Sequence, residues 1–334
     1  LAATWLYRIL RTQLDQSLFN LTAFVVPVAL VLIGLKCVSR KDLDSALLVL
    51  GYSLLVISAL SVILGATGTM PDGFEVTDSG DQRVALLKWL GVTNRWGGPF
   101  GSVNYASPAG GLVLVIGMGQ RGWTRVVLVV GGLAMLTLGA GRSAVVAVAA
   151  ALVVLFLSSA WVSRITWHRA LRVGTVVTAL VVVASYVVFL DSTLNGRTRI
   201  WSDFLVLVPT SPIVGVGDSG ILAFVGERTG TEGFVPHTHG HSVLFDGILR
   251  YGLIMGLLTA TIFVFTLWAG SRSLRQGASL PLALGVYAIV AGLTETIHGW
   301  AYWSIYLVTL VWIVLSSDSR LSARSSSSTE ASLS

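Results

Sequence analysis

The chain has 334 residues, 54% of them hydrophobic and only 11% charged, with a mean hydropathy of +0.80. A soluble domain carries roughly 25% charged residues, so the composition excludes a soluble enzyme or binding module and points to an integral membrane protein. The net charge of +6 reads as basic cytoplasmic loops rather than a nucleic-acid surface. The single cysteine, Cys37, excludes an internal disulfide or a cysteine-based zinc site.

Residues 1–17, with "WLYRILRTQL", form an amphipathic beginning. A membrane helix needs about 20 apolar residues, fewer where its ends are buried in protein. Nine segments meet that need: 18–35, 46–66, 102–119, 126–141, 144–162, 173–190, 252–270, 280–297 and 301–316. Between them run two long polar connections, 67–101 and 191–240, and several short turns. The expected fold is an all-α polytopic membrane protein of about nine transmembrane helices with two long external loops. Its membrane domain covers 1–316, and "SARSSSSTEASLS" closes a low-complexity, disordered cytoplasmic tail over 317–334.

Charge orients these spans. The short connections hold Lys36, Arg40, Lys41, Arg121, Arg125, Arg164, Arg169, Arg172, Arg272 and Arg275, and the tail adds Arg320 and Arg324. With nine spans all of these fall on one side, which the positive-inside rule makes cytoplasmic. Ten of the sixteen acids fall on the other side, so both long connections face outward. The N-terminus is then external with no span before it, and the chain begins at Leu1; an upstream hydrophobic segment is therefore expected. Abundant Ala, Val, Gly and Arg fit a GC-rich bacterial genome.

Several polar residues stand where they are expensive. Arg142, in "TLGAGRSAVVAV", lies between two apolar segments joined by almost no loop. A charge at the hydrocarbon boundary costs a few kcal/mol unless it snorkels, is paired or lines a wet cavity. Arg142 is thus either a snorkelling turn residue or an anion-binding group. Arg197 and Arg199, in "LNGRTRIWSDF", either anchor a loop at the headgroups or form a planar fork for phosphate. Arg250 follows Asp246 by four residues, the spacing of an ion pair along a helix.

Gly215-x-Gly217-x-x-Gly220 has the spacing of a dinucleotide-binding loop, but that pattern has meaning only between a strand and a helix. Placed after Pro209 and Pro212 in an external connection, it reads better as tight turns re-entering the membrane surface. Next come His237, His239 and His241 in "HTHGH". They share a face if extended and would suit zinc only with further ligands. Otherwise they belong to a solvated loop, or one of them serves as a general base near neutral pH.

Four segments, in order over about residues 95–255, resemble the O-antigen ligase/polymerase superfamily of polytopic glycan-transfer proteins. "HSVLFDGILRYGL" is similar to its His-Asn helix start with Gly-Leu eleven residues after the His: His241 and Gly252 match, His239 takes the place of a second His, and Ser242 replaces the Asn. "GRTRIW" is similar to Arg-x-x-x-Trp through Arg197 and Trp201, followed by the Pro-hydrophobic-hydrophobic-Gly-x-Gly turn in "SPIVGVGDSGI". "TLGAGRSAVVAV" resembles the Ser-Arg-Gly segment, with Arg142 matching and Gly141 and Ser143 departing. "GGPFGSVNYAS" resembles Gly-x-Phe-Gly-Asn-Pro-Asn, with Asn104 matching and Ser102 and Val103 departing.

The resemblance implies a metal-independent glycosyltransferase without cofactor, in the cytoplasmic (inner) membrane and acting on its outer face through an external catalytic loop, 191–240. The implied donor is a glycan on a polyprenyl pyrophosphate, and the acceptor a hydroxyl of a lipid or glycan. It makes Arg142 and Arg197 the groups that meet the departing pyrophosphate, and His241 the group that deprotonates or orients the acceptor hydroxyl. Arg199, His239, Asn104 and Trp201 would bind substrate. Two competing expectations stand beside it. One is a transporter or channel for a small anionic solute, with Arg142 and Glu295 lining a path and His298 one turn beyond Glu295. The other is an external scaffold indifferent to its histidines.

Overall fold

The computed structural model of the chain describes residues 40–66, 103–139, 141–161, 197–229, 242–294 and 309–317. Among them the secondary structure is helical and no strand occurs. The helices are α1 (Arg40–Ala66), α2 (Val103–Met118), α3 (Gly122–Gly139), α4 (Arg142–Trp161), α5 (Arg197–Leu205), α6 (Gly217–Arg228), α7 (Val243–Arg275), α8 (Leu280–Thr294) and α9 (309–316). A 3-10 turn, Val208–Thr210, lies between α5 and α6.

Three of these helices, α1, α3 and α7, are long and apolar enough to cross a membrane, and α2, α4 and α8 are shorter apolar helices. The expected spans 18–35 and 173–190, the connection 67–101 and the tail lie outside the described residues, as do the ends of the spans 280–297 and 301–316.

The two short central helices are the most enclosed. Every residue from 106 to 117 in α2 and from 281 to 292 in α8 is buried, as expected of a helix that is apolar all round. The longer helices cover them and turn apolar side chains outward: Leu60 and Ile63 on α1, Phe156 on α4, and Leu257 and Val264 on α7 are exposed. An apolar outside round an apolar inside is the surface of a protein solvated by lipid, so the described helices form a membrane-associated bundle.

Small residues draw the central helices together. Glycines seven apart on α2 (Gly110, Gly117) and seven apart on α3 (Gly132, Gly139) line the contact between these two helices. A Cβ at Gly110 would stand 2.6 Å from the Leu136 backbone nitrogen, and one at Gly132 would stand 2.5 Å from that of Leu114. The backbones therefore pack directly, which is how membrane helices gain van der Waals contact without a hydrophobic driving force. Gly111 leaves room for the hydroxyl of Tyr287, buried on α8, which donates to the Pro108 carbonyl. Trp312 Nε1 donates to the Leu43 carbonyl at 2.9 Å and ties α9 to α1.

These contacts fix helix directions. Gly51 faces Leu128 and Ile116, and Gly131 faces Leu55, so α1 runs with α3 and against α2. Gly119, after α2, abuts Leu280 at the start of α8. The α2–α3 and α7–α8 connections consequently share one end, which carries Arg121, Arg125, Arg272 and Arg275. Aromatic side chains mark this basic end: Trp123 is exposed, and Arg272 lies over Trp268, 5.6 Å from the ring centre. Tryptophan and arginine are the usual pairing at a membrane boundary. The starts of α2, α4 and α7 lie at the opposite end.

Candidate functional site

The opposite end is built from two separate constructions. In the first, the α3–α4 turn is wedged against α2. The Gly141 N–H donates to Ser107 Oγ at 2.6 Å, and that hydroxyl reaches the Leu136 carbonyl at 3.4 Å. Gly139 admits Ser107, whose backbone nitrogen would lie 2.9 Å from an added Cβ. Arg142 is the first residue of α4, immediately after this anchored turn, and Asn104 lies three residues before Ser107 on α2. The fold thus brings the starts of these two helices to one place. Pro108 lacks the N–H that would return to the Asn104 carbonyl, which loosens the first turn of α2 at that residue. The side chains of Asn104 and Arg142 lie outside the described residues.

The second construction is a small core beyond the membrane bundle. Ile200 and Phe204 on α5, Ile221, Phe224 and Val225 on α6, and Leu249 on α7 bury against one another. The spacing of four between Ile200 and Phe204 puts both on one face of α5, which explains why so short a helix holds. Trp201 is half-buried beside Phe245 in the first turn of α7, with ring centres 6.0 Å apart and planes tilted by 40°. Arg197 occupies the position one turn before Trp201, whereas Arg199 is placed roughly 200° round the helix axis from Arg197. The side chains of both arginines lie outside the described residues.

The α5–α6 segment docks on a break in α7. Gly252 has φ 78° and ψ −176°, outside the helical region, where only glycine sits without strain. In a continuous helix the Leu253 N–H would bond the Leu249 carbonyl. Here the Leu253 N–H donates to the Pro212 carbonyl at 2.8 Å, and the Leu249 carbonyl accepts from the Val216 N–H at 2.9 Å. The turn thereby takes over both ends of the broken bond, and no backbone group of that bond is orphaned. Contact is backbone to backbone: a Cβ on Gly252 would overlap the Ile213 carbonyl, and one on Gly215 would stand 2.5 Å from the Gly252 nitrogen.

This geometry accounts for the glycine spacing that imitates a dinucleotide loop. Gly215 and Gly217 both have positive φ, at 71° and 74°, and they shape a turn that fits the α7 break. Gly217 opens α6, but no strand precedes it among the described residues, and the first turn of α6 carries the acid Asp218. Arg250 pairs with Asp218 across the two elements, so it joins α7 to α6. The sequence offered only Asp246, on its own helix, as a partner.

The histidine stretch ends where α7 begins. Ser242 is the N-cap: its backbone is extended, and its buried hydroxyl accepts from the Phe245 N–H at 3.4 Å. Serine therefore meets the helix-capping requirement at the position where the resemblance has Asn. Asp246, in the same turn, is buried. His237, His239 and His241 lie outside the described residues, as do Glu295 and His298. Among the described residues no group of three His, Cys, Asp or Glu side chains could hold a metal.

Sequence reasoning missed Phe245 as the partner of Trp201, Ser107 as the anchor of the Arg142 turn, and the exchange of backbone bonds at Gly252. Gly252 and Gly215 were visible as motif glycines, but nothing local shows that they face each other. No protein-family model matches the chain, and no curated protein matches it.

Proposed function

We propose that this chain is a membrane glycosyltransferase of the O-antigen ligase/polymerase type. It moves a glycan from a polyprenyl-pyrophosphate carrier to a hydroxyl of a lipid or glycan acceptor. In this reading about nine helices cross the cytoplasmic membrane with the basic end inside, and the end holding the starts of α2, α4 and α7 faces outward. The acceptor oxygen attacks the anomeric carbon, the bond from that carbon to the pyrophosphate oxygen breaks, and polyprenyl pyrophosphate departs. His241 takes the hydroxyl proton. Arg142 and Arg197 meet the charge that develops on the pyrophosphate, and Arg199, His239, Asn104 and Trp201 hold the substrates. Arginines supply the positive charge, so the proposal needs no metal.

One observation supports this reading most: the Trp201–Phe245 contact, with the docked turn behind it. It holds the helix bearing Arg197 against the turn that directly follows His241. The competing transport reading uses broken helices whose freed backbone groups line a substrate path. In α7 those groups are taken by Pro212 and Val216 instead, which favours a fixed surface site. The test is transfer by the purified protein from defined polyprenyl-pyrophosphate glycans, with candidate acceptors and a chelator. Transfer that persists in chelator is expected. Solute uptake into liposomes without any transfer would replace this reading with the transport one.

A further inference from the structure

The segment joining α5 to α6 has an unusual surface. From Phe204 to Gly217 the chain carries no charged residue, although this stretch stands beyond the enclosed bundle. Its apolar side chains are not gathered inward: Leu205 is 54% exposed, Val206 52% and Ile213 61%, and Pro209 and Pro212 are exposed beside them. A water-facing turn of this length normally carries polar and charged side chains, and a contiguous exposed apolar patch marks an interaction surface.

The level of this patch relative to the bilayer follows from α7. Between the break at Gly252 and Arg272 at the basic end lie residues 253–271, all uncharged. At 1.5 Å per residue they span about 28 Å, close to the roughly 30 Å hydrocarbon core. The break therefore coincides with the far hydrocarbon boundary. The Pro212 carbonyl is bonded to the first amide below that break, and the 3-10 turn packs on both α5 and α7. At this break the segment 243–251 folds back along the helix: a Cβ on Gly247 would touch Met255 and Thr259, and one on Gly256 would overlap Ile248. The turn docked on the break therefore presents Leu205, Val206 and Ile213 near the membrane boundary. Below the break, Leu253, Ile254 and Leu257 are exposed on α7, so the patch adjoins the lipid-facing surface of that helix.

We propose that the turn 205–213 is a membrane-inserting rim, whose partner is the acyl and headgroup boundary of the leaflet at this end. The apolar side chains enter the lipid as an interfacial element. The rim fixes the depth of the Arg197–Trp201 helix relative to the membrane. This inference does not rest on glycan transfer, since it concerns depth alone.

Spin labels test it in the full-length protein carrying Cys37→Ser, reconstituted in vesicles of phosphatidylethanolamine and phosphatidylglycerol. Single variants Leu205→Cys, Val206→Cys and Ile213→Cys are compared with Leu257→Cys as the lipid reference and Glu227→Cys as the water reference. The ratio of collisions with oxygen to collisions with a water-soluble nickel chelate is expected several-fold above the Glu227 value, approaching that at Leu257. A ratio equal to the Glu227 reference at all three positions would overturn the proposal. Labels shielded from both reagents would overturn it too, in favour of a protein partner or a second copy covering the patch.

Discussion

The bundle and the docked α5–α6 unit solve the same problem, close approach of helices, in opposite ways. In the bundle the helices run without a break in their backbone path, and glycines at 110, 117, 132 and 139 only remove side chains so that backbones can touch. In the docked unit α7 is broken at Gly252, and its backbone bonds are exchanged with the turn 212–216. The first arrangement suits a lipid environment, where an unpaired N–H or C=O costs several kcal/mol. The second is tolerated at the boundary because the partner backbone takes up both the Leu253 N–H and the Leu249 carbonyl. A site at the end of the bundle gains from it, since the turn is held by peptide groups rather than by mobile side chains.

Substitutions should separate the two regions. The largest effect is expected from Gly252→Val, which combines a positive φ with overlap on the Ile213 carbonyl; such strain and overpacking together cost on the order of 4 kcal/mol or more. Limited proteolysis should show cleavage within 197–229 while the bundle fragment persists. Protection equal to the parent protein would mean that the turn does not depend on the break. Gly132→Leu acts in the bundle, where overpacking costs about 1–3 kcal/mol. It should lower the melting temperature of the whole protein in detergent without exposing 197–229 preferentially.

Smaller effects sharpen the division. Asp218 is about half exposed and Arg250 mostly buried, so solvent screens their pair; a double-mutant cycle on Arg250→Ala and Asp218→Ala should give a coupling of about 1 kcal/mol that weakens with salt. A coupling indifferent to salt would mean that the pair is more deeply enclosed than its geometry shows. The smallest change is expected for Tyr287→Phe, which removes the hydroxyl donated to Pro108. Side-chain hydrogen bonds inside membrane bundles average about 0.6 kcal/mol, so unfolding in mixed micelles should shift only slightly.

The hydrophobic helices were legible because span hydropathy is a local property. The expected segments 102–119 and 144–162 correspond to Val103–Met118 and Arg142–Trp161. The expected span 252–270 begins at the break in α7, because the capped and partly buried stretch Ser242–Tyr251 before it lacks the apolar run that hydropathy detects. The connection 191–240 read as loop, yet it holds α5, the 3-10 turn and α6. Their stability comes from Leu249, Phe245 and the α7 backbone, contacts some 25 to 50 residues away in sequence. Of the candidate site, the sequence named separate segments, and the fold brings two pairs of them together: the start of α2 with the α3–α4 turn through Ser107, and the Arg197–Trp201 helix with the first turn of α7.

The most direct test of the functional account compares glycan transfer by Arg197→Ala and His241→Ala with the parent protein, each purified and checked for an unchanged melting temperature. Loss of a general base costs typically 10²–10⁴-fold, and loss of one group stabilising developing charge about 10²–10³-fold. The account predicts losses of that order in both variants with the bundle intact. Parental transfer rates in both would contradict it.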